Sequence, residues 1–309
     1  MFVMRSVSVV VCTFNRKDDA VKCLESVLAQ DYSDFDVWVV DDASVDGTFE
    51  ALKDHFGREG RLHILRNDVE LGNTLSRNIA MRMSRGEIIA STDDDCVVAE
   101  DWLSNLVSVF DEGDDIGLVT GRVLPIFYTP MPKWLKPPIY PIIAVRTVKG
   151  RAEHLPPHGC NMAVRRDVME KVNYLNENIT RKYGSLYSGE DTDLGRRVRA
   201  AGYRVVYTPD AVVWHRVYPH RLTREHFIRR ALYFGMSEVI FSGKTTLGIL
   251  DAAANITAYF IRYIARPKFY NLTLIAYKFG WLIKALGGGE EEAARAEEWF
   301  MRFAQKAKE

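Results

Sequence analysis

Four short apolar, β-branched runs, separated by stretches with helical spacing, constrain this chain most. Val7 to Cys12 is the first, and behind it Val21, Leu24, Val27 and Leu28 recur on one helical face. Phe35 to Val40 is the second; it ends in Asp41 and Asp42 and leads to a helix capped near Ser44 or Asp46. A strand over Arg61 to Leu65, a helix over Leu71 to Arg85 and a strand over Glu87 to Ser91 complete the series. Alternation at this spacing up to about residue 121 predicts a mostly parallel sheet, and in such sheets ligands bind beyond the carboxyl ends of the strands. Thr13, Asp42 and Asp93 all fall there.

The strand that ends near Ser91 runs straight into Asp93-Asp94-Asp95. Adjacent like charges at a strand end are costly unless something positive sits among them, and a divalent cation carrying a diphosphate meets that need. The site therefore suggests a nucleotide-sugar enzyme. Taken alone, the same row also fits a solvated acidic turn capping a helix near Asp101.

Residues 122 to 157 break the rhythm. Pro125, Pro130, Pro132, Pro137, Pro138 and Pro141 exclude a continuous helix and most sheet interiors, so this segment reads as irregular, either a connector or a lid over the substrate. Regular structure resumes with a strand over Gly159 to Val164, a short helix from Asp167, a helix over Glu190 to Ala201, and strands near 204–207 and 211–215. After about residue 220 only helices follow, three or four of them. Phe227, Ile228, Ala231, Leu232, Gly235, Met236, Val239 and Ile240 give the first an apolar face.

With 309 residues, 47% hydrophobic and 27% charged, the chain holds enough apolar material for one large domain or a domain with a helical extension. Its formal net charge of zero gives no support to nucleic acid as a partner. Cys12, Cys23, Cys96 and Cys160 lie far apart without metal or redox spacing, as expected of reduced thiols in the cytoplasm. The run at 7–12 is too short for a signal peptide, and the apolar stretch 246–265 is interrupted by Asp251, Asn255 and Arg262, so no spanning helix is expected.

Six blocks in series carry a resemblance. They are Val-Ser-Val-Val-Val-Cys-Thr-Phe-Asn-Arg at 7–16, Val-Val-Asp-Asp-Ala-Ser-Val-Asp-Gly-Thr at 39–48 and Leu-Gly-Asn-Thr-Leu-Ser-Arg-Asn at 71–78, followed by Gly-Glu-Ile-Ile-Ala-Ser-Thr-Asp-Asp-Asp at 86–95, His-Gly-Cys-Asn-Met-Ala-Val-Arg-Arg at 158–166 and Gly-Glu-Asp-Thr-Asp-Leu at 189–194. In this order the chain resembles the inverting glycosyltransferases of family 2. The resemblance implies an α/β GT-A fold, Rossmann-like with a mostly parallel central sheet, carrying a C-terminal helical extension. It implies a catalytic domain over 1–220, with a nucleotide-sugar-binding half at 1–121 and an acceptor-binding half at 122–220, and a helical region over 221–309.

What the resemblance implies for the site follows residue by residue. Asp93 and Asp95 match the family's Asp-x-Asp, which holds Mn2+ or Mg2+ against the donor diphosphate; Asp95 is the first choice of metal ligand and Asp93 lies toward the ribose, with Asp94 also in the donor site. Thr13, Phe14 and Asn15 resemble the loop around the base, and Asp42 the carboxylate that accepts from a base ring N–H, a contact uracil can supply. Arg77 matches an arginine near the phosphates. Glu190 and Asp191 match the acidic pair at a helix start, with Asp191 as the base that takes the acceptor hydroxyl's proton. His215 closes Ala-Val-Val-Trp-His, where some members set a histidine against the metal; an ordinary hydrogen-bonded histidine fits the position equally.

Two departures stand out. Cys12 replaces a common proline, and Asn173-Tyr174-Leu175-Asn176-Glu177 stands where the family often has Gly-Gly-Phe-Asp-Glu, so that two glycines are lost and a tyrosine ring is added. The Gln-x-x-Arg-Trp motif of processive synthases is absent, which points to single-sugar addition.

Between Ala252 and Gly289 there is no acid, while Arg262, Arg266, Lys268, Lys278 and Lys284 are interleaved with aromatics. Such a stretch suits either the surface of an anionic bilayer, with peripheral contact through 246–287 on the inner face of the cell membrane, or protein packing with snorkelling cations. The expected function is thus metal-dependent, inverting transfer of one sugar from a nucleotide donor, UDP-sugar favoured, to a hydroxyl of a glycan or lipid-linked oligosaccharide. A polyprenyl-phosphate sugar synthase and a non-catalytic nucleotide-sugar-binding scaffold are the alternatives; a sugar nucleotidyltransferase lacks its glycine-rich loop here. The sequence leaves the oligomeric state open.

Overall fold

The computed structural model describes residues 4–181 and 186–305. Its described residues fall into two compact units: 4–126, 145–181 and 190–216 form one, and 127–144, 186–189 and 217–305 the other.

The first unit is built on an eight-stranded sheet. Its strands are β1 (Val7–Thr13), β2 (Phe35–Asp41), β3 (Leu62–Arg66), β4 (Ile88–Asp93), β5 (Cys96–Val98), β6 (Ile116–Phe127), β7 (Met162–Arg165) and β8 (Arg204–Val217). The order across the sheet is β3-β2-β1-β4-β7-β6-β8-β5. The β3-β2-β1-β4 half is parallel, as the alternation predicts, whereas β7 pairs antiparallel with β4 and β6, and β5 antiparallel with β8. Strand β1 sits inside the parallel half and every residue of it is buried, so its apolar run is continuous. Strand β3 lies at the sheet edge and buries none of its five residues.

Helices α1 (Lys17–Leu28), α2 (Thr48–Phe56), α3 (Asn73–Met83), α4 (Trp102–Phe110), α5 (Arg166–Lys171) and α6 (Glu190–Ala200) complete this unit. In α1 the buried face is Ala20, Cys23, Leu24 and Val27; Val21 and Leu28 are only half-buried. The cap of α2 is Gly47 rather than Ser44 or Asp46, although Asp46 Oδ1 accepts from the Thr48 N–H at 3.1 Å. One core cluster joins Val10, Ile89, Met81 of α3, Val164 and Leu194 of α6. Burying each such side chain contributes about 1.5–3 kcal/mol.

Two expectations are corrected in this unit, and one departure is explained. Strand β6 runs on through 122–127, Pro125 included, which the prolines marked as irregular; it lies between β7 and β8, and Val123 also bridges to Arg146. The two strands foreseen at 204–207 and 211–215 are one, because β8 continues through Thr208-Pro209-Asp210. At 173–174, where the family often has glycines, Asn173 and Tyr174 adopt φ of 57° and 59°. The turn keeps the left-handed backbone that glycine favours, and the tyrosine ring lies under the Arg82 guanidinium at 4.6 Å.

The second unit contains α7 (Arg224–Ser242), α8 (Thr246–Ala265), α9 (Phe269–Ala285) and α10 (Glu290–Ala304). Helices α7 and α9 touch backbone to backbone: a Cβ on Gly235 would stand 1.9 Å from the Tyr277 carbonyl oxygen, and one on Gly280 2.0 Å from that of Leu232. Residues 127–144, which the sequence grouped with 122–220, pack here. Trp134 meets Phe227 and Phe269 edge-on, and Leu135, Ile139 and Ile143 are buried, so apolar side chains hold the proline-rich segment among the helices. Much of α9 is interior as well, with Phe269, Leu272, Ile275 and Trp281 buried. Among the described residues no helix is long and apolar enough to cross a membrane.

Candidate active site

The carboxyl ends of β1 and β4 lie side by side, with Cys12 paired to Asp93. The row Asp93 to Asp95 turns there, and its three carboxylates diverge. Asp93 is the most exposed, and its carboxylate accepts a hydrogen bond from Nη2 of Arg77 on α3. Asp94 is buried between Thr13 and Arg16: Thr13 Oγ1 donates to it at 2.9 Å and Arg16 Nη1 at 2.9 Å. Asp95 takes a second bond from the same Arg16 nitrogen at 2.7 Å, and its other oxygen lies 3.4 Å from His215 Nε2. Burial, with Asp95 and Asp93 adding to it against the pull of Arg16 and the Thr13 hydroxyl, pushes Asp94 up to about 6.

Arg16 is the site residue that sequence reasoning missed. The signal was present: three adjacent acids call for a positive partner, and an arginine closes the first motif block. The His215 contact follows from the ladder, since Cys96 of β5 pairs with His215 of β8. A carboxylate oxygen beside an imidazole nitrogen could serve Mn2+ together with substrate phosphates, whereas the imidazole is a poor ligand for Mg2+, which takes oxygen. Among the described residues no group of three or more His, Cys, Asp and Glu converges on one point. Asp95 and His215 are the residues that would hold a cation.

Arg77 reaches in two directions. It is 4% exposed, and besides Asp93 it contacts Glu190 Oε1 through Nη1 at 3.3 Å. Glu190 opens α6 and also accepts from Asn73 Nδ2 at 3.2 Å. Beside it, Asp191 Oδ2 accepts from the Gly159 N–H at 2.9 Å. The Gly159 carbonyl in turn accepts from Ser91 Oγ of β4 at 2.7 Å, so the His-Gly-Cys-Asn block links the base candidate to the strand that carries the acidic row. Burial pushes Asp191 up to about 6, Glu190 adds to the rise, and the N–H groups of Gly159 and Thr192 and the charge of Arg146 oppose it. Arg146 is itself buried, and its Nη1 has no hydrogen-bond partner among the described residues.

Phe14, Asn15 and Asp42 behave differently from one another. Phe14 is 39% exposed at the tip of the loop. Asn15 takes φ of 51° and is tied to the next loop, donating through its N–H to Ser44 Oγ at 2.8 Å and accepting from the Val45 N–H at 2.8 Å. Asp42 is buried and serves its own chain: Asn67 Nδ2 donates to it at 2.7 Å, the Leu71 N–H at 2.9 Å and the Gly72 N–H at 2.8 Å. Three donors on a carboxylate with about four acceptor positions leave one. Thus Asp42 anchors the 67–72 loop, a role that its place in the motif does not disclose.

The family model described as "Glycosyl transferase family 2" matches residues 8–172. The glucosyl-dolichyl phosphate glucuronosyltransferase of Haloferax volcanii is 28% identical over 239 residues, spanning 75% of this chain and 76% of that protein. The UDP-Glc:alpha-D-GlcNAc-diphosphoundecaprenol beta-1,3-glucosyltransferase WfaP of Escherichia coli is 28% identical over 105 residues, 34% of this chain and 39% of that one. Among solved structures, the mannosyltransferase PcManGT from Pyrobaculum calidifontis, in complex with GDP-Man and Mn2+, matches with a TM-score of 0.61 at 22% identity, over 98% of this chain and 84% of its own. At that identity the likeness shows the fold, which is GT-A.

Proposed function

We propose, since the chain belongs to glycosyl transferase family 2 and is a glycosyltransferase, that it moves a single sugar with inversion from a nucleoside-diphosphate donor to a hydroxyl of a lipid-linked glycan. The observation that carries this reading is the buried Arg77, which joins Asp93 at the donor end to Glu190 beside Asp191. A UDP-sugar is the favoured donor: the one acceptor position left on Asp42 suits a ring N–H, as uracil has. The lipid-linked acceptor is suggested by the names of the Haloferax and Escherichia relatives.

Asp191, aligned by the Gly159 N–H, takes the proton of the acceptor hydroxyl as that oxygen attacks the anomeric carbon. The bond from the anomeric carbon to the diphosphate oxygen breaks, and its electron pair leaves with the nucleoside diphosphate. A divalent metal bound by Asp95 and His215 would neutralise charge on that leaving group. Arg16 holds Asp94 and Asp95 in place, and Arg77 keeps Asp93 and Glu190 from repelling one another.

A second reading, transfer to a polyprenyl phosphate, draws on Arg146, a buried cation within electrostatic reach of Asp191 whose Nη1 has no hydrogen-bond partner among the described residues. A phosphate acceptor needs no base. Asp191→Asn therefore separates the two: with UDP-sugar and a lipid-linked sugar acceptor, its loss of transfer supports the first reading, and wild-type turnover on polyprenyl phosphate supports the second. Unchanged transfer in EDTA would remove the metal from either.

A further inference from the structure

We propose that α8 is a docking surface for an anionic lipid bilayer. The helix packs on its neighbours by one side only: Ala252 and Tyr263 are its buried residues, and Ile249 lies against Trp281 and Ala285 of α9. On the opposite side Leu247, Leu250, Ile261 and Ile264 are 78%, 62%, 62% and 69% exposed. At 3.6 residues per turn these four fall within an arc of about 100°, and Ala253, Ala254, Thr257 and Ala258 fill and extend it to about 140°. No charged residue lies in that arc. Single exposed leucines are ordinary on protein surfaces, whereas an aligned row along a twenty-residue helix is a contiguous apolar patch.

The charges beside the patch identify its occupant. Asp251 faces Lys278 at 3.4 Å and Asn255 at 2.9 Å, so its charge is met within the unit. The remaining charges of α8 and its flanks are the exposed cations Lys244, Arg262, Arg266 and Lys268. A second copy of this chain docked face to face would bring these same cations against each other across a two-fold axis. Anionic headgroups instead place opposite charge along the rim while the aliphatic row enters the acyl boundary. The helix lies on the bilayer without crossing it. The proposal deepens the reading of a lipid-linked acceptor by naming the surface that carries the enzyme to it.

Flotation of the full chain with phosphatidylglycerol–phosphatidylcholine vesicles, against pure phosphatidylcholine, tests the surface. The wild type is expected to float with the anionic vesicles and to be released by salt. Leu250→Asp/Ile261→Asp, placed on exposed positions, is expected to lower the floated fraction about tenfold while circular dichroism and transfer to a short water-soluble acceptor stay at wild-type level. Arg262→Glu/Arg266→Glu is expected to abolish the preference for anionic lipid. A wild type that stays at the bottom of the gradient, or a Leu250→Asp/Ile261→Asp chain that floats equally well, overturns the proposal. So does a dimer in analytical ultracentrifugation that this variant converts to monomer without any flotation, since the face then belongs to a second copy. If the chain floats but glycosylates neither lipid-linked nor soluble acceptor, the acceptor reading fails and the docking surface stands.

Discussion

Nε2 of His215 lies 3.4 Å from Oδ1 of Asp95, held there by the antiparallel pairing of β5 with β8. The two side chains are buried, 4% and 2% exposed, so neither can swing away when its partner is changed.

Changing either residue should therefore act on the metal first. His215→Ala and Asp95→Asn are each expected to weaken Mn2+ affinity by about 10- to 100-fold or more, read by calorimetry in the presence of nucleoside diphosphate. Wild-type affinity in both variants would remove the pair from the metal site.

Arg77 compensates two acids from a buried position, and an uncompensated buried charge is expensive. Arg77→Ala is expected to destabilise the chain by about 3–5 kcal/mol in denaturant unfolding. Adding Glu190→Gln should recover part of that loss, because one of the two stranded charges is then gone. If the double variant is no more stable than the single one, the Arg77–Glu190 contact carries little of the energy.

The elevated Asp191 sets a pH dependence whose sign is fixed. A base works only when deprotonated, so kcat/KM should fall about tenfold per pH unit below about 6 and level off above it. Asp191→Asn should lower the plateau by about 10²- to 10⁴-fold and abolish the limb. Stability runs the other way: the folded carboxyl holds its proton at a pH where the unfolded one has lost it, so this group's contribution declines as pH rises from about 4 to about 6. A kcat/KM profile flat from pH 5 to 7 in the wild type would remove Asp191 as the base.

In the helical unit, Gly280→Val should cost about 1–3 kcal/mol or more, because the new side chain meets the backbone carbonyl of Leu232 and not a movable side-chain tip. Thermal unfolding followed by circular dichroism measures it. An unchanged midpoint would mean that α7 and α9 do not pack this closely.

At the turn after α5, Asn173→Gly should be neutral or slightly stabilising, and Asn173→Ala should cost about 1 kcal/mol, since asparagine tolerates the left-handed region better than alanine. Chemical denaturation of the pair checks the order.

Much of the donor half was legible in the chain because its information is local. Continuous runs such as Val7–Cys12 announce doubly covered strands, and the acidic row names its own need for a counter-charge. What escaped depends on partners far away in sequence. Three residues of β5 are too few to show a period, and they form a strand only because β8 lies beside them. The spacing suggests two strands at 204–207 and 211–215, yet β8 runs unbroken through Pro209. The counter-charge was assigned wholly to a metal, whereas Arg16 supplies part of it. The prolines of 127–144 said what that segment could not be, but not that Trp134 would anchor it among helices. Asp42 carried a motif role from its position, and its three donors from 67–72 became visible only in the folded loop.

The place of β5 in the sheet has a consequence for how the protein is made. Its one sheet neighbour is β8, which must slot between β6 and β5 before the row ending in Asp95 acquires an aligned imidazole. The ribosome writes Asp95 early and His215 late. A nascent chain halted before Arg204 should carry a β5 held by α1 alone, through the Val98 N–H on Ser26 Oγ, with its β8 edge unpaired. The Asp95–His215 pair would therefore form only after β8 has been made, although Asp95 is translated 120 residues before His215.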